Sequence, residues 1–296
     1  MISTSVLAPS PPTPFDPGNW GEITDIKTIN ATRVPSQGPE TWRPLPHGSY
    51  ANMGEQAFDR HGFTISEPLH YRGPSRGTVK IKDLPKYGRF LSLYGIAHPG
   101  LPDIDGLTWE GGFGNSYDMT IALGAGLGER VKCCSNGQYM GSTCGFKRKH
   151  TSGIDANREG VFQHVYDLVD SAVGGLLIQA EGRANQIDRF KRTGCEDTDA
   201  RFVIMEAAKR GVIGAAATMR VLEHWESPEH PEFKDRNVWS LNNAFTSNDR
   251  GRNMMTQGDR FNKLNAVLND RFGILKESGD QSPDTDQPLL IGADEF

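Results

Sequence analysis

At 296 residues and 36% hydrophobic, the chain is long enough to bury a sizeable core, as one large domain or two. Its 23% charged residues are an ordinary globular share, and a net charge of −5, taken at face value, speaks against a nucleic-acid partner. No stretch has the signal-peptide pattern and no long apolar run occurs, so a cytoplasmic protein with reduced thiols is expected, not a secreted or membrane-spanning one.

Residues 1–45 are rich in Pro, Ser, Thr and Gly, as in "VLAPSPPTPFDPGNW", and read as an extended arm in which proline removes donors and fixes φ. Phe15 and Trp20 are costly to leave bare, so parts of the arm are expected to drape on the body. Residues 46–150 carry many glycines and short apolar bursts; "GTVKIKDL", "GRFLSLYGIA", "MTIALGAG" and "ERVKCCS" read as strands between turns. In "TVKIK" the alternation puts Lys80 and Lys82 on one strand face.

The texture changes near Ser152. Val161, Val165, Leu168, Val169, Ala172, Leu176 and Ile187 recur at helical intervals, with Asp155 as N-cap and Gly174–Gly175 as a kink or an end. "DTDARFVIMEAAKRG" predicts a second helix, starting near Asp197 or Asp199 and closed by Gly211. "AAATMRVLEHWES", stopped by Pro228, is a third; "VWSLNNAFTSN" and "GDRFNKLNAVLNDRFG" are two more. In "WSLNNAFT", Trp239 and Asn243 share a helix face, and the asparagines are expected to satisfy buried backbone. The expectation is one α+β domain over 46–275, β-rich at 46–150 and helical at 152–275. A flexible Pro-rich arm (1–45) precedes it, and a disordered acidic tail (276–296) follows.

Residues 277–296 hold six acids and no Lys or Arg; without them the net charge of −5 becomes +1, so the body is near neutral. Such a run stays solvated, as a frayed end or an interaction tail. The body's cations cluster. Residues 60–90 contain Arg60, Arg72, Arg76, Lys80, Lys82, Lys86 and Arg89 against Glu67 and Asp83, with Tyr71, Tyr87 and Phe90 among them and Tyr94 just beyond. Residues 130–150 contain Arg130, Lys132, Lys147, Arg148 and Lys149 and no acid. Cations that track phosphates and rings that stack on any base suit single-stranded nucleic acid. A solvated basic face with core aromatics has the same composition.

Other chemistries find weaker footing. The glycines of Trp109–Glu129 complete no phosphate-binding pattern, and turns or close strand packing account for them. Cys133, Cys134, Cys144 and His150 lack zinc spacing, and the cysteines read as buried thiols. Asp103, Asp105, Glu110 and Asp118 could hold Mg²⁺ in a metal-dependent nuclease or nucleotide-processing enzyme, or simply line turns.

"NSYD" (115–118), "CSN" (134–136), "KRKHT" (147–151) and "WSLNNAFT" (239–246) occur in an order that resembles a phage- and plasmid-borne family of unknown function, over Pro68 to Asp270. Tyr117 stands where many members have His. Within that family the chain is similar to the single-stranded-DNA-binding RNA polymerase cofactors of podoviruses that carry a virion RNA polymerase. The resemblance implies a non-enzymatic protein of the host cytoplasm without cofactor or metal. It would coat single strands, self-associate on them and assist a phage RNA polymerase in transcription, with a possible extension to replication or recombination. The DNA contacts expected from the residues are Tyr71, Arg72, Arg76, Lys80, Lys82, Lys86, Tyr87, Arg89, Tyr94, Lys147, Arg148 and Lys149; Phe90 is assigned to the core. Asp294, Glu295 and Phe296 form the expected partner contact, since "ADEF" looks like the acidic, Phe-ended tips of phage and bacterial single-strand-binding proteins.

Overall fold

A computed structural model describes residues 8–12, 21–76, 81–132, 143–150, 162–248 and 257–274, the last from Arg260 onward for side chains. The chain is α+β: a seven-stranded antiparallel sheet comes from the N-terminal half and most of the helical mass from the C-terminal half. The strands are β1 (Glu22–Thr24), β2 (Thr64–Ile65), β3 (Leu69–Gly73), β4 (Arg89–Ala97), β5 (Leu107–Ser116), β6 (Leu123–Val131) and β7 (Cys144–Arg148). Their order is β1-β3-β4-β5-β6-β7, with β2 paired to β4.

The predicted strand "GRFLSLYGIA" is β4. "MTIALGAG" and "ERVKCCS" are not two strands: a turn around Met119 is followed by one continuous β6. In "GTVKIKDL", residues 77–80, Lys80 among them, lie outside the described residues, and Lys82 makes an isolated bridge to Gln37 instead of joining a strand. The glycine-rich stretch forms β5 and β6, where Gly112 pairs with Gly126 and Gly114 with Gly124, so its glycines belong to strand packing. Gly111 shows the need: a Cβ there would lie 2.8 Å from the Phe58 ring.

Two helices were not foreseen: α1 (Ile26–Asn30) in the segment read as an arm, and α2 (His47–Arg60) in the β-rich half. Asp25 caps α1, its Oδ1 accepting from Thr28 N at 2.6 Å. Gly48, Ser49 and Gly54 depress the intrinsic helicity of α2. Packing forms it instead: Tyr50, Ala51, Gly54, Ala57 and Phe58 make one buried face against the sheet. Residues 21–45 correct the expectation of an extended arm. They contribute β1, α1 and the buried side chains of Ile29, Trp42 and Leu45, and Arg43 N donates to His150 O at 3.0 Å.

The long helix α3 (Gln163–Arg192) joins the two halves. It runs unbroken through Gly174–Gly175. Those glycines serve close approach: a Cβ on Gly174 would meet the His61 ring at 2.7 Å, and one on Gly175 would lie 3.6 Å from Cys144 Sγ on β7. The proposed N-cap Asp155 lies outside the described residues, and the helix starts at Gln163. The N-terminal part of α3, including Val165, Leu168, Val173 and Leu176, covers the sheet with α2. Its C-terminal part, with Ile187 and Phe190, packs on α4 (Asp197–Lys209), α5 (Ala215–Glu226), α6 (Val238–Ser247) and α7 (Gln257–Phe272). The stops fit expectation, with Gly211 at φ +69° after α4 and Gly273 at φ +65° after α7.

Helix α6 is a packing element, buried from Val238 through Thr246. Asn243 Nδ2 donates to Trp239 O at 2.8 Å, the backbone satisfaction expected of it, whereas the buried Asn242 amide makes no such bond. A buried ion pair ties the helices to the sheet. Arg183 of α3 gives two hydrogen bonds, at 2.9 and 2.7 Å, to Glu129 Oε1 of β6, and both side chains are 5% exposed.

Candidate nucleic-acid interface

Part of each basic cluster sits at one end of the sheet, toward opposite edges: Arg72 on β3 and the Lys147–Lys149 run on and after β7, whereas Arg130 lies toward the other end, paired across β5 with Thr108, and Arg60 pairs with Asp170 of α3. One unbroken rung runs Ile23–Tyr71–Leu91–Gly114–Gly124–Lys147. Arg72 lies one residue beyond it on β3, and Arg148 one residue beyond it on β7. From β3 to β7 is four strand spacings, about 19 Å at about 4.8 Å each. The β5–β6 turn, residues 117–122, lies between them.

On the β3 side the centre is Tyr87, a half-buried ring. The Arg72 guanidinium lies 4.5 Å from its centroid and the Lys86 ammonium 5.1 Å. Arg76, Lys82 and Lys86 are exposed. Arg72 is partly screened: its Nε donates to Glu22 Oε1 at 2.6 Å, in a pair open to solvent. On the β7 side Lys147 and Arg148 are half-buried and Lys149 is exposed.

Three expected contacts are withdrawn from this surface. Tyr71 is fully buried in the sheet. Tyr94 is fully buried in the core, edge-on to Phe113 at 5.8 Å, with its hydroxyl donating to Glu55 Oε1 at 3.1 Å. Neither ring offers a face to a base. Arg89 is 4% exposed; burial, with Arg76 close by, lowers its guanidinium pKa. Phe90 is core, as assigned. Lys80 and the tail residues Asp294, Glu295 and Phe296 lie outside the described residues.

"NSYD" builds the end of the sheet. Asn115 Nδ2 donates to Leu45 O at 2.8 Å, and Ser116 Oγ exchanges hydrogen bonds with the backbone of Ile121 at 2.9 and 3.0 Å. Tyr117 stacks on His47 at 3.9 Å and its hydroxyl accepts from His47 N at 3.1 Å. Burial drives His47 down to about 3 and Tyr117 up to about 12, so both stay neutral near pH 7. Asp118, 1% exposed, accepts from Arg76 N at 2.7 Å and from Thr120 N and Oγ1 at 3.0 and 2.6 Å. It thereby fixes Met119, which is 42% exposed at φ +60°. Met119, expected at the start of the strand "MTIALGAG", lies instead in the turn before β6, and Glu22 carried no signal in the sequence.

The acids proposed for a metal do not converge. Asp103 and Asp105 are exposed before β5, while Glu110 is 2% exposed and paired with Arg130 Nη1 at 2.8 Å. Asp118 lies beyond Ser116, about 20 Å of extended strand from Glu110. Among the described residues no group of three or more His, Cys, Asp or Glu could hold a metal ion. Cys133 and Cys134 lie outside the described residues; Cys144 is core, its thiol pushed up to about 12 by burial.

No described helix is long and apolar enough to cross a membrane. No family model, curated protein or solved structure matches this chain. The family resemblance therefore rests on its short motifs, of which "CSN" lies outside the described residues.

Proposed function

We propose that the chain binds single-stranded DNA without sequence preference across the basic end of its sheet, as a non-catalytic protein. The observation that carries this reading is Tyr87, half-buried with Arg72 and Lys86 over its ring, on an edge where Arg76 and Lys82 are exposed. A strand entering here trades Glu22 for a phosphate on Arg72. Lys86, on its flexible stem, moves from the ring to a phosphate and yields the ring face to a base. Lys147, Arg148 and Lys149 then take the backbone on the far edge. The span of about 19 Å suits about four nucleotides, the low end of single-strand site sizes.

The acidic run Glu277–Phe296 supplies a polyanion of the same chain that competes for these cations and, once displaced, is free for a protein partner. The family resemblance names that partner as a phage RNA polymerase and the role as transcription, with neighbouring copies in contact along the strand. The test is fluorescence anisotropy with labelled oligo-dT of about 40 nucleotides, against a matched duplex, in EDTA. Tight, salt-sensitive binding of the single strand with weak duplex binding supports the reading; no binding to either overturns it.

A further inference from the structure

Met119 is an odd residue to find at the tip of the β5–β6 turn. Its φ is +60°, a left-handed conformation that costs an ordinary L-residue about 1–2 kcal/mol. Among the described residues the other positive-φ positions are five glycines and Asp83, types that tolerate this backbone. The unbranched thioether side chain is also 42% exposed. Single exposed apolar residues are common. This one is held in place: buried Asp118 grips the turn through Thr120 and ties it to the backbone of Arg76. The tip stands between the cluster of Arg76 and the rung of Arg148, on the line a strand would follow from one edge to the other.

We infer that Met119 is a base-contacting wedge. It inserts its side chain between neighbouring bases of the bound strand, or against a base face, while the flanking cations hold the phosphates. Apolar side chains including Met unstack bases in this way, and thioether sulfur packs well on aromatic rings. A rigid, strained tip keeps the wedge presented before DNA arrives, so little ordering entropy is lost on binding. This inference rests on the single-strand reading above and adds a contact to the base, where the cations reach only the backbone.

The test uses Met119→Gly and Met119→Asn in the full chain. Both residues accept the left-handed backbone, so both variants should fold, with the Gly variant at least as stable as the parent by thermal melt. Each is titrated against oligo-dT and against an abasic phosphodiester strand of equal length. The expected result is about a fivefold or greater loss on oligo-dT, with no change on the abasic strand or in salt dependence. Parent-like binding of oligo-dT by both variants overturns the wedge while leaving the single-strand reading intact. An equal loss on both strands also overturns it, because the turn would then act through the phosphates. A parent protein that binds neither strand overturns the single-strand reading itself.

Discussion

Arg183→Met should be among the most destabilising single changes in this chain. The substitution keeps much of the side chain's length but removes the cation beside Glu129, leaving a carboxylate 5% exposed between β6 and α3. The two hydrogen bonds lost to Glu129 are 2.9 and 2.7 Å long, and a hydroxyl donor such as Thr143 Oγ1, 3.1 Å from Oε2, does not replace a full charge. A unit-charge pair at this distance is worth about 6 kcal/mol at an effective dielectric of about 20. Desolvation takes back part of that, and broken buried pairs cost about 3–5 kcal/mol in practice. The cation also sits over the Phe261 ring at 4.7 Å, so α7 loosens too. Urea unfolding followed by the fluorescence of the five tryptophans reads the loss. Adding Glu129→Gln to Arg183→Met removes the charge that Arg183 had compensated and should restore stability relative to the single variant. A single variant within about 1 kcal/mol of the parent, or additive costs in the double variant, refutes the reasoning.

Four further outcomes are expected. Glu22→Gln frees Arg72 from an exposed ion pair worth about 0–1 kcal/mol, so single-strand affinity in the anisotropy assay should rise up to about fivefold at low salt. Gly182→Ala, exposed in α3 with nothing within 4 Å of the new Cβ, should stabilise by about 0.5–1 kcal/mol. Gly54→Ala in α2 would put a Cβ 2.4 Å from Phe113 Cε2, so overpacking should outweigh the helix gain and cost about 1 kcal/mol in the same urea assay. Burial lowers the pKa of His47 to about 3 and also lowers those of His70 and His150, while an unfolded histidine titrates near 6.5. The unfolded chain therefore binds more protons below about pH 6.5, and stability should fall as pH falls through that point, by up to about 1.4 kcal/mol per unit for each histidine. Chemical denaturation between pH 7 and 5 checks this, and His47→Phe should flatten the slope.

The helical half was legible because each helix buries one face, leaving a 3.6-residue rhythm bounded by Asp199, Gly211, Pro228 and Gly273. The sheet was less so. β4 is buried on both faces from Arg89 through Ile96, so no alternation marks which residue faces where; Tyr94 and Arg89 then pass for surface groups. In β5, glycine removes the side chains that would have carried the period, so the strand goes unmarked, and in β6 the same loss makes one strand read as two. Helix α2 is hidden by Gly48, Ser49 and Gly54, which tertiary packing overrides. Charge clustering was visible in the sequence, but its meeting at one end of the sheet depends on the register that joins Tyr71 to Lys147.

The central claim is that the two edges of that sheet end bind one phosphate backbone together, and the salt dependence of single-strand binding tests it most directly. Lys82, Lys86 and Lys149 are exposed, so replacing all three by Ala should leave the fold intact. If each neutralises one phosphate, the log–log slope of affinity against salt should become shallower by about 2, at about 0.7 per contact. Separate replacement of Lys149 and of the Lys82–Lys86 pair should divide that change between the edges. A slope equal to the parent's would contradict the account.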